Sequence, residues 1–587
     1  MPMRQSIHNS SSRPAGWGVV PSGVTSLARE LPIVLGTIGL FYSVIAFAHY
    51  WSGPVNSQAE ISLHLSALPK YALFSVLRIA IAYMFSFIFT LVYGYIAAYN
   101  RKAERFMIPL LDTLQSIPVL SFLPGVMISM AALFPGRQLG VELGSVLLIF
   151  TGQVWNMTFS FYSSLKSIPT EMREAAQAYR LSWWQRFWQL ELPQAAFGLI
   201  WNSMMSVAGG WFFLMACEMF VLGNRDFRLP GLGSYLQTAA NAGDTRAILW
   251  GLLTMIGVII LIDQMLWRPV IAWAEKFKVE QVGAAQVPHS PILNLLRRSR
   301  ILPLVTRSLV LPVREKLDLH FAREKARETQ SQAQGVNGVR AWALRAAAVT
   351  ALAGIAYATI KVFSILAATS AADWLRVLRG AGATFLRVEV VLLLAALWTI
   401  PVGVAIGLRP RLSAIAQPIV QIAASVPATA LFPIILLILI RAGGGLGIGS
   451  IVLLLLGTQW YILFNVIAGA TAIPSDLKEV CGAYQLSLTE RWRRLFLPAI
   501  FPYLITGFVT ASGGAWNASI VAEYFHFRGQ TFSTTGLGAI ISYATDSGNF
   551  RMLLAATVVM AVLVVTINRL LWRALYGLAS TRFKLEG

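Results

Sequence analysis

Charge is what this 587-residue chain has least of: Asp, Glu, Lys and Arg together make up 12% of it, against about 25% in a soluble globular protein. Acid is the scarcer sign, with 26 Asp and Glu against 47 Lys and Arg. Together with 56% hydrophobic residues and a mean hydropathy of +0.63, that deficit excludes a water-soluble enzyme. Only two cysteines are present, Cys217 in an apolar run and Cys481 in a polar loop, which rules out a disulfide framework and a cysteine-based metal site. Six scattered histidines do not make a metal centre either. A G-x-x-x-x-G-K-[ST] phosphate loop is missing altogether. Gly443-Gly444-Gly445-Leu446-Gly447 lacks the lysine, so the chain does not hold ATP by that route. A net charge of +21 would suggest nucleic acid in a soluble protein. Here the basic residues sit beside apolar runs and read as contacts to membrane lipid headgroups, with no nucleic-acid partner.

Apolar runs are what the chain has in abundance. A span needs about 20 residues to cross a bilayer. Twelve spans are expected, at about 31–51, 72–98, 106–134, 141–164, 199–222 and 247–271, then 343–367, 381–407, 412–440, 447–469, 499–522 and 551–576. The fold class is therefore all-α, a polytopic membrane protein. Ala46-Phe47-Ala48 imitates a leader cleavage site, but its apolar core is too long and more spans follow, so 31–51 reads as an uncleaved anchor. Arg4, Arg13 and Arg29 precede the first span, Arg101, Lys102 and Arg105 follow the second, and Arg409 and Arg411 follow the eighth. By the positive-inside rule both termini, 1–30 and 577–587, are expected in the cytoplasm.

The chain also repeats itself. Ser167-Ile168-Pro169-Thr170-Glu171-Met172-Arg173-Glu174-Ala175-Ala176-Gln177-Ala178-Tyr179 returns 305 residues later as Ala472-Ile473-Pro474-Ser475-Asp476-Leu477-Lys478-Glu479-Val480-Cys481-Gly482-Ala483-Tyr484. The same shift carries Trp155 onto Trp460, Leu192-Pro193 onto Leu497-Pro498, Trp211 onto Trp516, Glu218 onto Glu523, and Gly231-Leu232-Gly233 onto Gly536-Leu537-Gly538. Upstream the shift is 309, taking Arg78 onto Arg387, Ser116 onto Ser425 and Pro118 onto Pro427. Six spans in each half, 31–273 and 341–576, make the repeat parallel, with a pore expected between the halves. The connector 274–340 carries both charge signs among scattered leucines. It reads equally as a helix lying on the inner leaflet or a partner and as a solvated linker.

The loops 167–192 and 472–497 are long for a membrane protein and are written as helices. A proline opens each at the first-turn position, with acids in the first turn (Glu171 and Glu174; Asp476 and Glu479) where the helix dipole favours them. Small residues follow, Ala175, Ala176 and Ala178, with Cys481, Gly482 and Ala483 in the second copy after Val480. Such a face suits a groove in another protein. Glu174-Ala175-Ala176 followed by Leu192-Pro193 resembles the EAA loop of binding-protein-dependent ABC importer permeases, and the likeness covers nearly the whole chain twice. Ser116-Ile117-Pro118, and Glu218 with Gly231-Leu232-Gly233, look most like the nitrate/sulfonate/taurine branch. The resemblance implies a type I permease fold in which each loop docks one of two cytoplasmic ATPase subunits, which hold the ATP and Mg, so that this chain carries no cofactor. It further implies an extracytoplasmic solute-binding protein, a small anion as cargo, and a bacterial-type inner-membrane location. The family's loop has glycine six residues after the Glu, where this chain has Arg180 and Gln485, so the turn there is expected to be built differently.

Ionisable residues at membrane depth are costly, about 2.5–3.5 kcal/mol each at mid-span, and each is a site hypothesis. Arg78 with Glu218, and Arg387 with Glu523, could pair within a half, either to hold spans together or to act in passage. Trp211 and Trp516, beside paired glycines, read as a gate or as packing. Ser116 with Pro118, and Ser425 with Pro427, break the third and ninth spans and could line the pore. Asp263 and Asn568 read as helix-packing groups. Two rivals remain at this point. One is an ion-coupled secondary transporter, which needs a titratable midplane relay. The other is a membrane scaffold that binds an ATPase without moving solute.

Overall fold

The computed structural model describes residues 51, 60–222, 225–274, 293–294, 306–330, 338–441, 445–527 and 530–582. The expected tail 1–30, nearly all of the expected first span, most of the connector's first half and residues 442–444 lie outside the described residues.

The first half runs through α1 (Leu68–Tyr99), α2 (Arg101–Ser116), α3 (Leu123–Leu133), α4 (Gln138–Lys166), the short α5 (Thr170–Ala178), α6 (Leu192–Glu218), α7 (Leu232–Ala242) and α8 (Thr245–Ile262). A connector helix, α9 (Leu311–Gln330), leads through α10 (Gly338–Ala367) to the second half. That half is α11 (Ala371–Gly407), α12 (Pro410–Ser425), α13 (Ala428–Arg441), α14 (Leu446–Thr471), the short α15 (Ser475–Ala483), α16 (Leu497–Ala522), α17 (Leu537–Asp546) and α18 (Phe550–Ile567). Among the described residues seven helices are long and apolar enough to cross a membrane, or nine if each bent pair counts as one span. The long helices α4 and α10 coincide with the expected spans 141–164 and 343–367.

The bent pairs are α2 with α3 and α12 with α13, each turned by 82°. Proline is the cause. Its ring disfavours the helical region for the residue before it, and Ile117 (φ −83°, ψ 129°) and Val426 (φ −74°, ψ 116°) are both extended. The expected spans 106–134 and 412–440 are thus two helices each. Two antiparallel hairpins interrupt the helical pattern, β1 (Val221–Leu222) with β2 (Arg225–Asp226) and β3 (Tyr524–Phe527) with β4 (Gln530–Ser533), the latter in register Tyr524 to Ser533. They follow α6 and α16, at the face opposite α5 and α15.

Within each half one helix is central: α4 packs between α1 and α6, and α14 between α11 and α16. Across the seam the repeat-related Asn568 and Asp263 each bond the broken span of the other half, at positions one helical turn apart in the repeat. Asn568 Nδ2 donates to Ser116 Oγ at 2.5 Å, and Gln421 Nε2 donates to Asp263 Oδ1 at 3.3 Å. Leu120 N donates to Asn517 Oδ1 at 3.3 Å. The connector helix is seated on the first half's loop, with Phe321 ringed by Trp183 (5.0 Å) and Trp184 (5.3 Å). The repeat-related positions in the second half are Leu488 and Thr489.

Candidate functional site

The two short helices α5 and α15 stand at the same face of the two halves. Pro169 and Pro474 occupy their N-cap positions, one residue earlier than the first-turn site expected from the sequence. Glu171, Glu174, Ala175 and Ala178 are exposed, as are Asp476, Glu479, Val480 and Ala483. Ala176 (6% exposed) and Cys481 (7%) are not. They turn inward, and Cys481 packs with Ile473, Leu495 and Ala499, so these two anchor their helices and do not belong to the outward surface as expected. The outward knobs are tyrosines, Tyr179 (81% exposed) and Tyr484 (76%). Arg173 Nη2 donates to the carbonyl of Leu165 at 2.7 Å, tying α5 to the end of α4.

The turn after each helix corrects another expectation. Arg180 (φ +50°) and Gln485 (φ +48°) adopt the left-handed conformation that the family's glycine would supply, and among the described residues no other non-glycine has positive φ. The backbone closes identically in both copies: Leu181 N donates to Ala176 O at 3.0 Å and Leu486 N to Cys481 O at 3.1 Å, the long bond of a Schellman turn. The turn is therefore kept and the strain accepted. Next comes a device the sequence reading missed. Ser182 and Ser487 each form a capping box, with Gln185 and Glu490 respectively, visible in retrospect as Ser-x-x-Gln and Ser-x-x-Glu at one repeat spacing. The Ser487 hydroxyl and backbone N–H hold the Glu490 carboxyl below the usual carboxylate range.

At the opposite end of the spans lie two buried ionic nodes. Arg78 donates to both oxygens of Glu142 (2.7 Å each), to Glu218 Oε1 (2.8 Å) and to the Pro230 carbonyl (2.9 Å), with all three side chains fully buried. Ser75 Oγ and Gly233 N donate to Glu218, each at 2.7 Å. Arg387 pairs with Glu523, which also accepts from Thr384 Oγ1 (2.8 Å) and Gly538 N (2.8 Å). Each acid thus receives the amino end of a helix, α7 or α17, besides its arginine. Gly231 and Gly536 permit this approach, because a Cβ at either would fall on the carboxylate. Glu142 escaped the sequence reading because it is a lone acid without a repeat partner: the related positions, 447 and 451, are Gly and Ile.

Between the halves, at mid-span, are two cavities related by the repeat. One, about 90 Å³, is lined by Ser425, Pro427, Met205 and Phe212 among others, and the second, about 160 Å³, by Ser116, Asn156, Thr510 and Asn568. Phe213, Tyr461, Gly514 and Asn517 border both. Pro118 lies behind the wall, buried, its carbonyl accepting from Ser121. Trp211 (2% exposed) and Trp516 (0%) line neither cavity and sit in the packed core. The aromatic groups that border both cavities are Phe213 and Tyr461, which the sequence reading did not single out.

A membrane-embedded pair of like halves, with matched exposed helices at one face, matched ionic nodes at the other and cavities along the seam, defines the architecture of a transport permease. The family described as binding-protein-dependent transport system inner membrane component matches residues 90–265 and 399–583, and the chain belongs to that family. It is similar to nitrate import permease protein NrtB of Leptolyngbya laminosa, 30% identical over 34% of this chain and 66% of that protein. Bicarbonate transport system permease protein CmpB of Synechococcus elongatus is 31% identical over 22% of this chain and 45% of its own length. Taurine transport system permease protein TauC of Escherichia coli is 26% identical over 31% and 62%. The chain thus spans between about half and two thirds of these relatives.

Proposed function

We propose that this chain forms the complete translocation pathway of an ABC importer for a small anion, its two fused halves replacing a permease dimer. Two cytoplasmic ATPase subunits dock on loops 167–192 and 472–497, and a solute-binding protein delivers cargo to the opposite, extracytoplasmic face around the two hairpins. Both termini lie in the cytoplasm. The observation that carries the reading is the duplicate of α5 and its strained turn at α15, each with its tyrosine in solvent. A connector has no packing reason to keep that geometry twice. The relatives named for nitrate, bicarbonate and taurine support an anion as cargo. The cycle is alternating access: closure of the ATPase dimer draws α5 and α15 together, and the halves rock about the seam.

Replacing Glu174 or Glu479 with Lys tests this. The protein is expected to stay in the membrane while losing its ATPase on purification and losing ATP-driven uptake. Unchanged uptake, or uptake by ATPase-free vesicles on a proton or sodium gradient, overturns the proposal and favours a secondary transporter.

A further inference from the structure

The duplication supplies an internal control for every residue on the path. At three positions the two seam cavities differ cleanly and in the same sense. Gln115, Thr151 and Thr510 line only the larger one, and their repeat partners Ala424, Leu456 and Met205 line only the smaller; Asn156 likewise lines only the larger and Phe212 only the smaller, while their partners Tyr461 and Asn517 border both. A fold built twice has kept one chamber the more polar, the smaller retaining Gln421 and Ser425 besides the shared Asn517.

Two further groups face the same way in chemistry. Trp155 and Trp572, one from each half, both line the polar cavity, and the indole N–H of each is buried without a hydrogen-bond partner. A buried donor left unpaired is costly, and either N–H would gain a partner if its indole turned toward an acceptor in the cavity. No Lys or Arg is among the described residues lining this cavity. Its one charged side chain is Asp112, exposed at the mouth. Uncharged amide, hydroxyl and indole donors can replace part of an oxyanion's hydration without holding it as a fixed cation would, and passage requires binding that is weak enough to reverse. The smaller chamber, with Ala424, Leu456 and Met205 where the larger has Gln115, Thr151 and Thr510, offers an ion fewer such partners.

We propose that the polar cavity alone is the resting site of the solute within the membrane, and that it recognises an oxyanion head group through uncharged donors. This rests on the importer reading and deepens it. The head group could belong to a plain anion or to a zwitterion such as an aminosulfonate, whose ammonium would meet Asp112.

The test exchanges the cavities' residues, because each substitution installs a side chain the mirror position already accepts. Vesicles holding the full chain with its ATPase and binding protein are assayed for ATP-driven uptake of labelled nitrate, bicarbonate and taurine. Gln115→Ala, Asn156→Tyr and Thr510→Met are expected to cut uptake about tenfold or more with the ATPase still bound, and Ala424→Gln, Met205→Thr and Phe212→Asn to change it by less than about threefold. Gln115→Ala and Thr151→Leu are the mild members and keep the test decisive if Asn156→Tyr does not assemble. Equal sensitivity of the two sets, or full uptake by the first set, overturns the proposal while leaving ATP-driven import intact. Uptake of none of the three probes by the unaltered chain overturns the oxyanion assignment. Asp112→Asn separates the head-group sources: a selective fall in taurine uptake marks the zwitterion, and a selective rise in nitrate uptake marks the plain anion.

Discussion

Removing Arg78 leaves more behind than removing Arg387, although the two are repeat partners. Arg78 alone compensates two fully buried carboxylates, Glu142 and Glu218, whereas Arg387 faces one, Glu523, and keeps 11% of its side chain exposed. Breaking a buried pair from one side costs about 3–5 kcal/mol, because the remaining charge has no water to return to. Arg387→Met is therefore expected to cost about that much. Arg78→Met strands a second acid and should cost more, up to about twice the figure, which exceeds the whole stability of many domains. The node also predicts a partial rescue. Glu142→Gln removes one stranded charge, so the double variant Arg78→Met/Glu142→Gln should recover about 3 kcal/mol of the loss. Thermal unfolding followed with a thiol-reactive dye reads this directly, since Cys217 is fully buried beside Glu218. An Arg78→Met protein that melts with the unaltered one, or a double variant no better than the single, would refute the assignment of Glu142 and Glu218 as dependent on one cation.

Two other outcomes follow from the exposed loops. Arg180→Gly and Gln485→Gly relieve a left-handed residue and should each tighten the turn by about 1 kcal/mol, slowing amide exchange at Leu181 and Leu486 roughly fivefold; faster exchange would mean that the native side chain supplies more than the backbone loses. Glu490, held below the usual carboxylate range by its capping contacts, contributes above that range and stops doing so as pH falls through its lowered value. Below about pH 4 the 487–491 turn should therefore lose exchange protection while 182–186, capped by Gln185, keeps it, and Glu490→Gln should abolish the difference; equal acid sensitivity of the two loops would sink this account.

The parts of the fold legible in the sequence were those the repeat writes twice. Leu192-Pro193 and Leu497-Pro498 open spans, Pro118 and Pro427 break them, and the two shifts that align Arg78 with Arg387 and Glu218 with Glu523 align two nodes that the structure also builds. What stayed hidden departs from the repeat or depends on direction in space. Glu142 has no double to draw attention to it. Cys481 looks like surface in a polar loop until the turn after Gln485 folds it under its own helix. Trp211 and Trp516 stand beside paired glycines as a gate would, yet periodicity does not say which side of a helix meets a cavity, and both indoles turn into the core. Asn156 and Tyr461 are repeat partners beside the aligned Trp155 and Trp460, yet the sequence does not say that Tyr461 reaches both cavities and Asn156 one.

The seam carries one last consequence, for assembly. Gln421 of one half meets Asp263 of the other, and in the mirror contact Asp112 shares a cavity with Asn568, so acid and amide trade places between the copies. Two copies of the first half brought together would set Asp112 against Asp263 on both sides, repelling twice, and two copies of the second would oppose only amides. The fusion thus pairs unlike halves where two copies of the first would repel, while two copies of the second, amide facing amide, would meet no such penalty.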